Sequence, residues 1–304
     1  MRCRDYQLTV DKIFYYAQQI APKQKLVYAP PNVPKVEFTY TDFAKRVNRL
    51  GNLLESFDVE RSKGPWKMGT RVAVMDWNSI RYMELMYAIP MYGATLYTVN
   101  IRLAPEEIIH TMNVAEPEIL FIDMSFTPYL KAILSMVASI KKVVVMSDEI
   151  TCTGKGEVGE FDVDVEVLEY EESLKKQSES YDWPELDEYV VAGLFFTSGT
   201  TGRPKGVYHT HRQFLLSSMQ LCIAHAERPF RISNRDIIVT LVPYFHIFGW
   251  MTPYTSLISG NMLVFPGRYE WSHVTKLIKE YIPLAKKVEG RVIASGVPTM
   301  FTRL

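Results

Sequence analysis

The sequence predicts an α/β fold in which parallel sheets are flanked by helices. Short, almost continuous apolar segments at residues 71–75, 94–98, 118–122 and 142–146 alternate with segments of helical periodicity. Strands that are apolar on both faces are typical of parallel sheets covered by helices. The chain has 304 residues, of which 47% are hydrophobic and 22% charged, and is long enough for one large domain or two smaller ones.

Three predicted helices separate these strands, at residues 81–92, 105–115 and 129–139. The second carries a proline, Glu106 and Glu107 in its first turn, where a proline and negative charge suit a helix N-terminus. The alternation of strand and helix therefore predicts βαβ units.

The rest of the chain predicts further elements before and after these βαβ units. In order, we expect a helix at 8–20, a strand at 36–40, a helix at 41–57, a strand at 190–196, a helix at 213–226, a strand at 237–242, a helix at 251–258, a strand at 262–265, a helix at 273–281 and a strand at 291–295. We predict two interleaved layered subdomains, one of residues 70–225 and one of residues 8–65 plus 226–304.

A loop rich in glycine and hydroxyl residues lies between two β-like segments at residues 195–211. Within ten positions it holds four hydroxyl residues, three glycines, a proline and Lys205. Glycine lets backbone pass close to a ligand, successive N–H groups bind anions, and lysine supplies a charge suited to phosphate. The pattern predicts a phosphate-binding loop, and a hairpin turn without a ligand is the alternative. It is not a Walker A loop, because Gly206 and a strand-like segment follow the lysine.

The sequence Thr-Ser-Gly-Thr-Thr-Gly-x-Pro-Lys-Gly in this loop resembles the signature of the AMP-forming adenylate synthetases. This family includes acyl-CoA synthetases, luciferases and peptide-synthetase adenylation domains. Other segments match the family in the same order, at residues 39–48, 69–78, 100–103, 115–117, 242–250 and 294–299. They are most similar to those of fatty-acyl-CoA synthetases, and the resemblance covers essentially the whole chain.

The resemblance implies that ATP activates a carboxylic acid, of the fatty-acid type, to an acyl-adenylate, whose acyl group then passes to coenzyme A. It implies that the loop holds the pyrophosphate end of ATP through Thr197, Ser198, Gly199, Thr200, Thr201, Gly202 and Lys205. We expect Thr200, Lys205 and His246 to act in catalysis. We also expect Thr200 to lie beside a Mg²⁺ ion that is held mainly by phosphate oxygens.

An acid-binding site is implied by two later segments, the aromatic-histidine segment at 242–250 and the Val-Pro segment at 294–299. His246 and Trp250 come from the first, and Gly296, Val297 and Pro298 from the second. A carboxylate is already ionised at neutral pH, so we expect His246 to orient it rather than to remove a proton. The alternatives are a histidine and a tryptophan packed in the core, and a simple strand-to-helix turn at 296–298.

Several segments that the family carries after its Val-Pro segment have no match in these 304 residues. They are an adenine-contacting Gly/Pro segment, a Tyr-Gly-x-Thr-Glu stretch, a Thr-Gly-Asp stretch and a small C-terminal lid domain with a catalytic lysine. We therefore expect an incomplete AMP-binding domain that a second polypeptide completes, and no acid-dependent ATP–pyrophosphate exchange at normal family rates by the chain alone. The alternative is a non-catalytic remnant that binds ATP or an acyl group.

Composition limits the partners and the location. The formal net charge is zero, with 34 basic and 34 acidic residues, so nothing in the overall charge favours binding to nucleic acid. The three cysteines, Cys3, Cys152 and Cys222, have neither metal-ligand spacing nor a disulfide framework. No apolar segment reaches membrane-spanning length. We expect a cytoplasmic protein with reduced thiols that binds small molecules, and a homodimer is open.

Overall fold

The computed structural model describes residues 6–197, 202–227 and 229–296, with the backbone alone at 247 and 248. The chain forms two compact units. The first consists of Met1–Val10, Lys45–Asp76 and Glu84–Phe214, and the second of Asp11–Ala44, Trp77–Met83 and Leu215–Leu304. The predicted α/β fold with parallel sheets flanked by helices is confirmed.

The first unit is built on a seven-stranded sheet. Its strands are β3 (Arg71–Met75), β4 (Thr95–Thr98), β5 (Ile119–Asp123), β6 (Lys142–Met146), β7 (Glu166–Glu169), β8 (Val191–Thr197) and β9 (Lys205–Thr210). Their order across the sheet is β7-β6-β5-β3-β4-β8-β9. All neighbouring pairs are parallel except β8 and β9, which form an antiparallel pair. The central strands β4 and β5 are buried along their whole length, as their apolar sequences predict.

Helices connect the strands of this unit. They are α4 (Pro105–Ala115), α5 (Leu130–Met136), α6 (Asp148–Thr153) and α7 (Tyr170–Lys175), together with a 3-10 segment at Met124–Tyr129. The start of α4 is as predicted, since a proline opens it and Glu107 accepts a hydrogen bond from the backbone N–H of Ala104. The predicted helix at 129–139 is in fact the 3-10 segment followed by α5, and α6 was not predicted.

A buried ion cluster lies in the first unit. The Arg46 guanidinium donates to both carboxylates of Glu84 and Glu171, at 2.6 and 2.8 Å, and the Tyr170 hydroxyl donates to Glu84 at 2.6 Å. Glu84 is fully buried, so its charge is compensated by these partners rather than by water. Burial raises the pKa of Glu84, and the charge of Arg46 acts against that increase.

The second unit is built on a five-stranded sheet. Its strands are β1 (Lys25–Tyr28), β2 (Val36–Thr39), β10 (Ile237–Val239), β11 (Met262–Phe265) and β12 (Val292–Ala294). The order is β12-β10-β11-β1-β2, and only the β1–β2 pair is antiparallel. Strand β1 was not predicted from the sequence; it precedes the predicted strand at 36–40 and pairs antiparallel with β2.

Helices α1 (Asp11–Ile20), α9 (Ile247–Ser259) and α10 (Trp271–Lys287) belong to the second unit. The apolar face of α10, with Val274 and Leu277, packs on Val239 and Val264 of the sheet. Three other helices, α2 (Tyr40–Ser56), α3 (Ile80–Tyr92) and α8 (His211–Ala226), each contribute residues to both units. Among the described residues, no helix has both the length and the hydrophobicity needed to cross a membrane.

Candidate active site

The predicted phosphate-binding loop joins the two antiparallel strands of the first unit. Strand β8 ends at Thr197 and β9 begins at Lys205, and these two residues are direct partners across the ladder. Both side chains are exposed. The loop between them therefore starts and ends at neighbouring points, with a hydroxyl on one side of its base and an ammonium on the other.

The described part of this loop explains why a glycine is needed at position 202. Gly202 has a φ of +122°, a conformation that side chains other than glycine rarely adopt. A Cβ atom placed there would meet nothing within 4 Å, so the backbone conformation, and not lack of space, requires glycine. Pro204 is buried beside the exposed Lys205. Ser198, Gly199, Thr200 and Thr201 lie outside the described residues, and their predicted contacts, including that of Thr200 with Mg²⁺, stay predictions.

Aromatic contacts hold the hairpin in place. The ring of Phe195 lies 6.0 Å from that of Phe214 and 5.7 Å from that of His209, and Phe196 contacts Tyr97 at 5.4 Å. Burial lowers the pKa of His209, so this imidazole is neutral near pH 7. The strands that carry Thr197 and Lys205 are thus anchored from both faces.

The aromatic-histidine segment lies in the second unit, immediately before α9. Tyr244 and Phe245 are buried, whereas His246 is exposed. The backbone N–H of His246 donates to Pro243 at 3.0 Å, and the carbonyl of His246 accepts from the N–H groups of Gly249 and Trp250. His246 is therefore presented at the start of the helix by a tight turn.

Asn78 holds this turn through three side-chain hydrogen bonds. Its amide donates to the carbonyls of Thr240 at 2.9 Å and Val242 at 2.8 Å, and its side-chain oxygen accepts from the N–H of Tyr244 at 3.1 Å. Gly249 closes the other side, because a Cβ atom there would lie 1.9 Å from the carbonyl oxygen of Pro243. The sequence identified Asn78 only as part of a family resemblance, and nothing local shows its role.

A cavity of about 610 Å³ opens beside this turn within the second unit. His246 and Gly296, both predicted for the acid site, contribute to its wall. Trp250 is 2% exposed and lies against Tyr254, and it is not among the described residues that line the cavity. Val297 and Pro298 lie outside the described residues. The roles of all five at an acid site stay predictions.

Sequence reasoning missed most of the cavity wall. The missed lining includes residues of α8, α9 and the segments around β10 and β12: Leu221, His225, Phe230, Ile232, Ile238, Thr252, Thr255, Ser256, Ser259 and Ile293. One signal was present, because the four hydroxyl residues of α9 recur at helical spacing. Burial lowers the pKa of His225, so this lining imidazole is neutral near pH 7.

Comparison with known proteins gives one family and a consistent set of relatives. A family model described as AMP-binding enzyme matches residues 16–304. The 3-methylmercaptopropionyl-CoA ligase of Ruegeria pomeroyi is 33% identical over 273 residues, which cover 88% of this chain and 45% of that protein. The medium-chain-fatty-acid–CoA ligase of Ectopseudomonas oleovorans is 33% identical over 235 residues, which cover 77% and 40%.

Solved structures agree with this chain at the level of the fold. The anthranilate CoA ligase AuaEII in complex with anthranoyl-AMP superposes with a TM-score of 0.77 at 19% identity, over 100% of this chain and 52% of that one. The N-terminal domain of FACL13 from Mycobacterium tuberculosis superposes with a TM-score of 0.74 at 20% identity, over 97% of this chain and 64% of that one. The chain thus spans about half the length of the curated relatives it matches.

Proposed function

Because the chain belongs to the AMP-binding enzyme family, we propose that it carries the phosphate-binding and acid-binding sites of an enzyme that converts a carboxylic acid to its CoA thioester. The observation that carries the proposal is the hairpin, in which the signature loop starts at Thr197 and ends at the exposed Lys205, its partner across the ladder. A hydroxyl and an ammonium at the base of a glycine-rich loop are donors suited to phosphate oxygens.

The proposed reaction has two steps. A carboxylate oxygen attacks the α-phosphorus of ATP, the bond from this phosphorus to the pyrophosphate oxygen breaks, and acyl-adenylate and pyrophosphate form. The thiol of CoA then attacks the acyl carbon, AMP leaves with the bonding electrons, and the thiol proton is released. A poor leaving group on the acid is thereby replaced by a good one, and the protein contributes mainly by positioning and by neutralising charge.

The phosphate loop would hold the pyrophosphate end of ATP during the first step. We assign this role to Thr197, Gly202 and Lys205 together with the residues at 198–201. A Mg²⁺ ion bound chiefly through phosphate oxygens would add positive charge there, with Thr200 as its protein ligand. Within residues 6–197, 202–227 and 229–296, no group of three His, Cys, Asp or Glu side chains is arranged to hold a metal ion.

The cavity beside His246 would receive the acid. Its volume of about 610 Å³ is in the range of small-molecule sites, and a ligand there would end at the exposed imidazole of His246. Since the acid is ionised at neutral pH, His246 would orient its carboxylate. Names of relatives that act on fatty acids support an acid of the fatty-acid type. Residues that bind the nucleoside and CoA would come from a further polypeptide segment.

The test has two arms. In the first, binding of ATP and of carboxylic acids from acetate to dodecanoate to the 304-residue chain is measured by calorimetry. In the second, ATP–pyrophosphate exchange and CoA-thioester formation are measured after adding a polypeptide with the family's C-terminal motifs. Acid-dependent exchange in the second arm supports the proposal. Binding in the first arm without exchange in the second supports a non-catalytic binding fragment, and failure to bind both ATP and the acids contradicts both functions.

A further inference from the structure

Helix α9 presents a row of hydroxyl side chains to the cavity of the second unit. Thr252, Thr255, Ser256 and Ser259 all line the cavity. Their spacing of i, i+3, i+4 and i+7 places them on one face of the helix. These four residues form what we call the hydroxyl stripe, and they make one wall of the cavity polar along its length.

Two hydroxyls of the stripe are not used within the protein. The Thr255 hydroxyl donates to the carbonyl of Thr252 at 3.2 Å, and Ser259 lies 3.8 Å from the sulfur of Cys222. By contrast, the hydroxyls of Thr252 and Ser256 make no hydrogen bond to any residue that the structure describes. Ser256 is only 3% exposed, so its hydroxyl can reach a partner only through the cavity.

Apart from His246, the rest of the described lining is apolar or carries uncharged polar groups. The apolar part of the lining comes from α8, from the segment after it and from strands β10 and β12: Leu221, Phe230, Ile232, Ile238 and Ile293. The imidazole of His225 contacts the ring of Phe230 at 5.5 Å, and burial lowers its pKa. The described lining contains no Asp, Glu, Lys or Arg. Away from His246, the cavity therefore combines an apolar wall with uncharged hydrogen-bonding groups.

A purely hydrocarbon chain does not match this wall. An alkyl chain that fills the cavity would displace water from Thr252 and Ser256 and leave their hydroxyls without a partner, which opposes binding. An oxygen on the ligand would replace that water and restore the hydrogen bonds. A second carboxylate would lose its hydration with no cation in the described lining to compensate for it.

The position of the stripe indicates where this oxygen lies. Helix α9 starts directly after His246. With a rise of 1.5 Å per residue, Thr252 is about 7.5 Å and Ser256 about 13.5 Å from the first residue of the helix along its axis. If the carboxylate lies at His246, the stripe meets the distal part of the acyl chain and not the carbons next to the carboxylate.

We propose that the acid bound by this cavity carries a neutral oxygen function, a hydroxyl or keto group, on the distal part of its acyl chain, where it hydrogen-bonds to Thr252 and Ser256. The proposal rests on the proposed function, since that function places the carboxylate at His246. It makes the substrate an oxygenated monocarboxylic acid rather than a plain fatty acid.

Acids of one chain length test this directly. Dissociation constants of octanoate, 8-hydroxyoctanoate, 3-hydroxyoctanoate and octanedioate are measured by calorimetry on the 304-residue chain. We expect 8-hydroxyoctanoate to bind about tenfold tighter than octanoate, because it restores the lost hydrogen bonds. We expect 3-hydroxyoctanoate to bind no more tightly than octanoate, since its hydroxyl lies next to the carboxylate. We expect octanedioate to bind most weakly.

Variants of the stripe connect any preference to these residues. In Thr252→Val combined with Ser256→Ala, binding of 8-hydroxyoctanoate should weaken about tenfold, while octanoate should bind as before or more tightly. Thr275→Val is the matched control, because its hydroxyl donates within α10 to the carbonyl of Trp271 and does not line the cavity. A loss of stability alone would weaken the binding of both acids equally. Thermal unfolding of each variant measures its stability.

The possible failures are distinct. If octanoate binds as tightly as 8-hydroxyoctanoate, or if the double variant keeps the preference for the hydroxy acid, the proposed role of the stripe is wrong and the acid site itself stands. If no acid binds to the chain at any length, both this proposal and the proposed acid site are wrong.

Discussion

Lys205 lies exposed at the base of the loop and carries the positive charge expected for phosphate binding. It begins β9 opposite Thr197, and the anchored strands limit how far either residue moves. The ammonium is a compact charge on a flexible stem, so in the proposed reaction it would follow the departing pyrophosphate. This geometry makes the residue a test of the phosphate role that is separate from acid binding.

We predict that Lys205→Ala slows adenylation about 10²–10³-fold in the completed enzyme, as loss of one preorganised donor does elsewhere. Thioester formation from preformed acyl-adenylate should change far less, because pyrophosphate is absent from that step. Both half-reactions are measured separately by rapid quench. Lys131→Ala is the control, since Lys131 is an exposed lysine of the same unit paired with Asp162. Equal losses in the two half-reactions would contradict the role.

Asp236 joins the starts of two neighbouring strands in the second unit. Its carboxylate accepts hydrogen bonds from the backbone N–H of Ser233 and Arg291, both at 2.8 Å, and from the Arg291 guanidinium at 3.0 Å. Burial acts to raise the pKa of Asp236, but these hydrogen bonds outweigh it and hold the pKa below the ordinary value of 3.8. The ionised carboxylate therefore stabilises the folded state.

We predict that Asp236→Asn lowers the free energy of unfolding by about 2 kcal/mol at pH 7, because charge-assisted hydrogen bonds are weakened. The folded-state pKa is depressed, so the stabilisation is complete above pH 3.8 and is lost as the pH falls through the lower folded value. Urea unfolding at pH 7 and pH 3 should show the difference between the two proteins shrinking. A difference that stays constant, or that also occurs in the exposed-site control Asp162→Asn, would contradict the assignment.

At the scale of elements, the turn before α9 determines where His246 lies relative to the cavity. Asn78 hydrogen-bonds to it from a segment more than 160 residues earlier in the chain. Gly249 lets the first turn of the helix rest directly on the backbone of Val242 and Pro243. The exposed position of His246 thus depends on contacts from both sides of the turn.

We predict that Gly249→Ala destabilises the chain by about 1–3 kcal/mol and weakens acid binding, since the new methyl group would push Pro243 and the turn away. The sign of the change in the free energy of unfolding tests this contact, because alanine in place of glycine at an unhindered helix position would instead stabilise the chain by up to about 1 kcal/mol. Urea unfolding and calorimetry with octanoate measure the two effects. A stabilised variant would contradict the proposed steric role of Gly249.

Several predicted elements agree with the structure in their bounds, and others do not. The strands at 71–75 and 142–146 have the predicted bounds, whereas the predicted strand at 237–242 ends at Val239, where the chain turns toward His246. Helix α9 starts four residues before the predicted helix at 251–258, because the hydrogen-bonded turn at Pro243–His246 leads straight into it. Such boundaries depend on contacts with distant segments, which periodicity does not report.

At the scale of the whole chain, the two units are interleaved along the sequence. The chain passes from one to the other inside α2, α3 and α8, so no single cut in the sequence separates them. Strand β3 occupies the middle of the seven-stranded sheet and pairs with β4 on one side and β5 on the other. Residues before 77 are therefore needed inside the sheet formed mainly by residues 84–214.

We predict that a fragment of residues 77–214 lacks a cooperative thermal transition, whereas residues 45–214 regain one. The shorter fragment loses β3 and also Arg46, which leaves the buried carboxylates of Glu84 and Glu171 without their cation. Circular dichroism during heating distinguishes the two fragments. Cooperative unfolding of residues 77–214 alone would contradict the central role of β3.

Local sequence was sufficient for the alternating α/β pattern and for the family resemblance, and it led to the prediction of a phosphate-binding loop, because these depend on neighbouring residues. Only the folded chain shows that Thr197 faces Lys205, that Asn78 holds the turn of His246, and that a hydroxyl stripe lines the cavity. These features arise where segments far apart in sequence pack together, and the free energy that brings them together is that of burying the whole core.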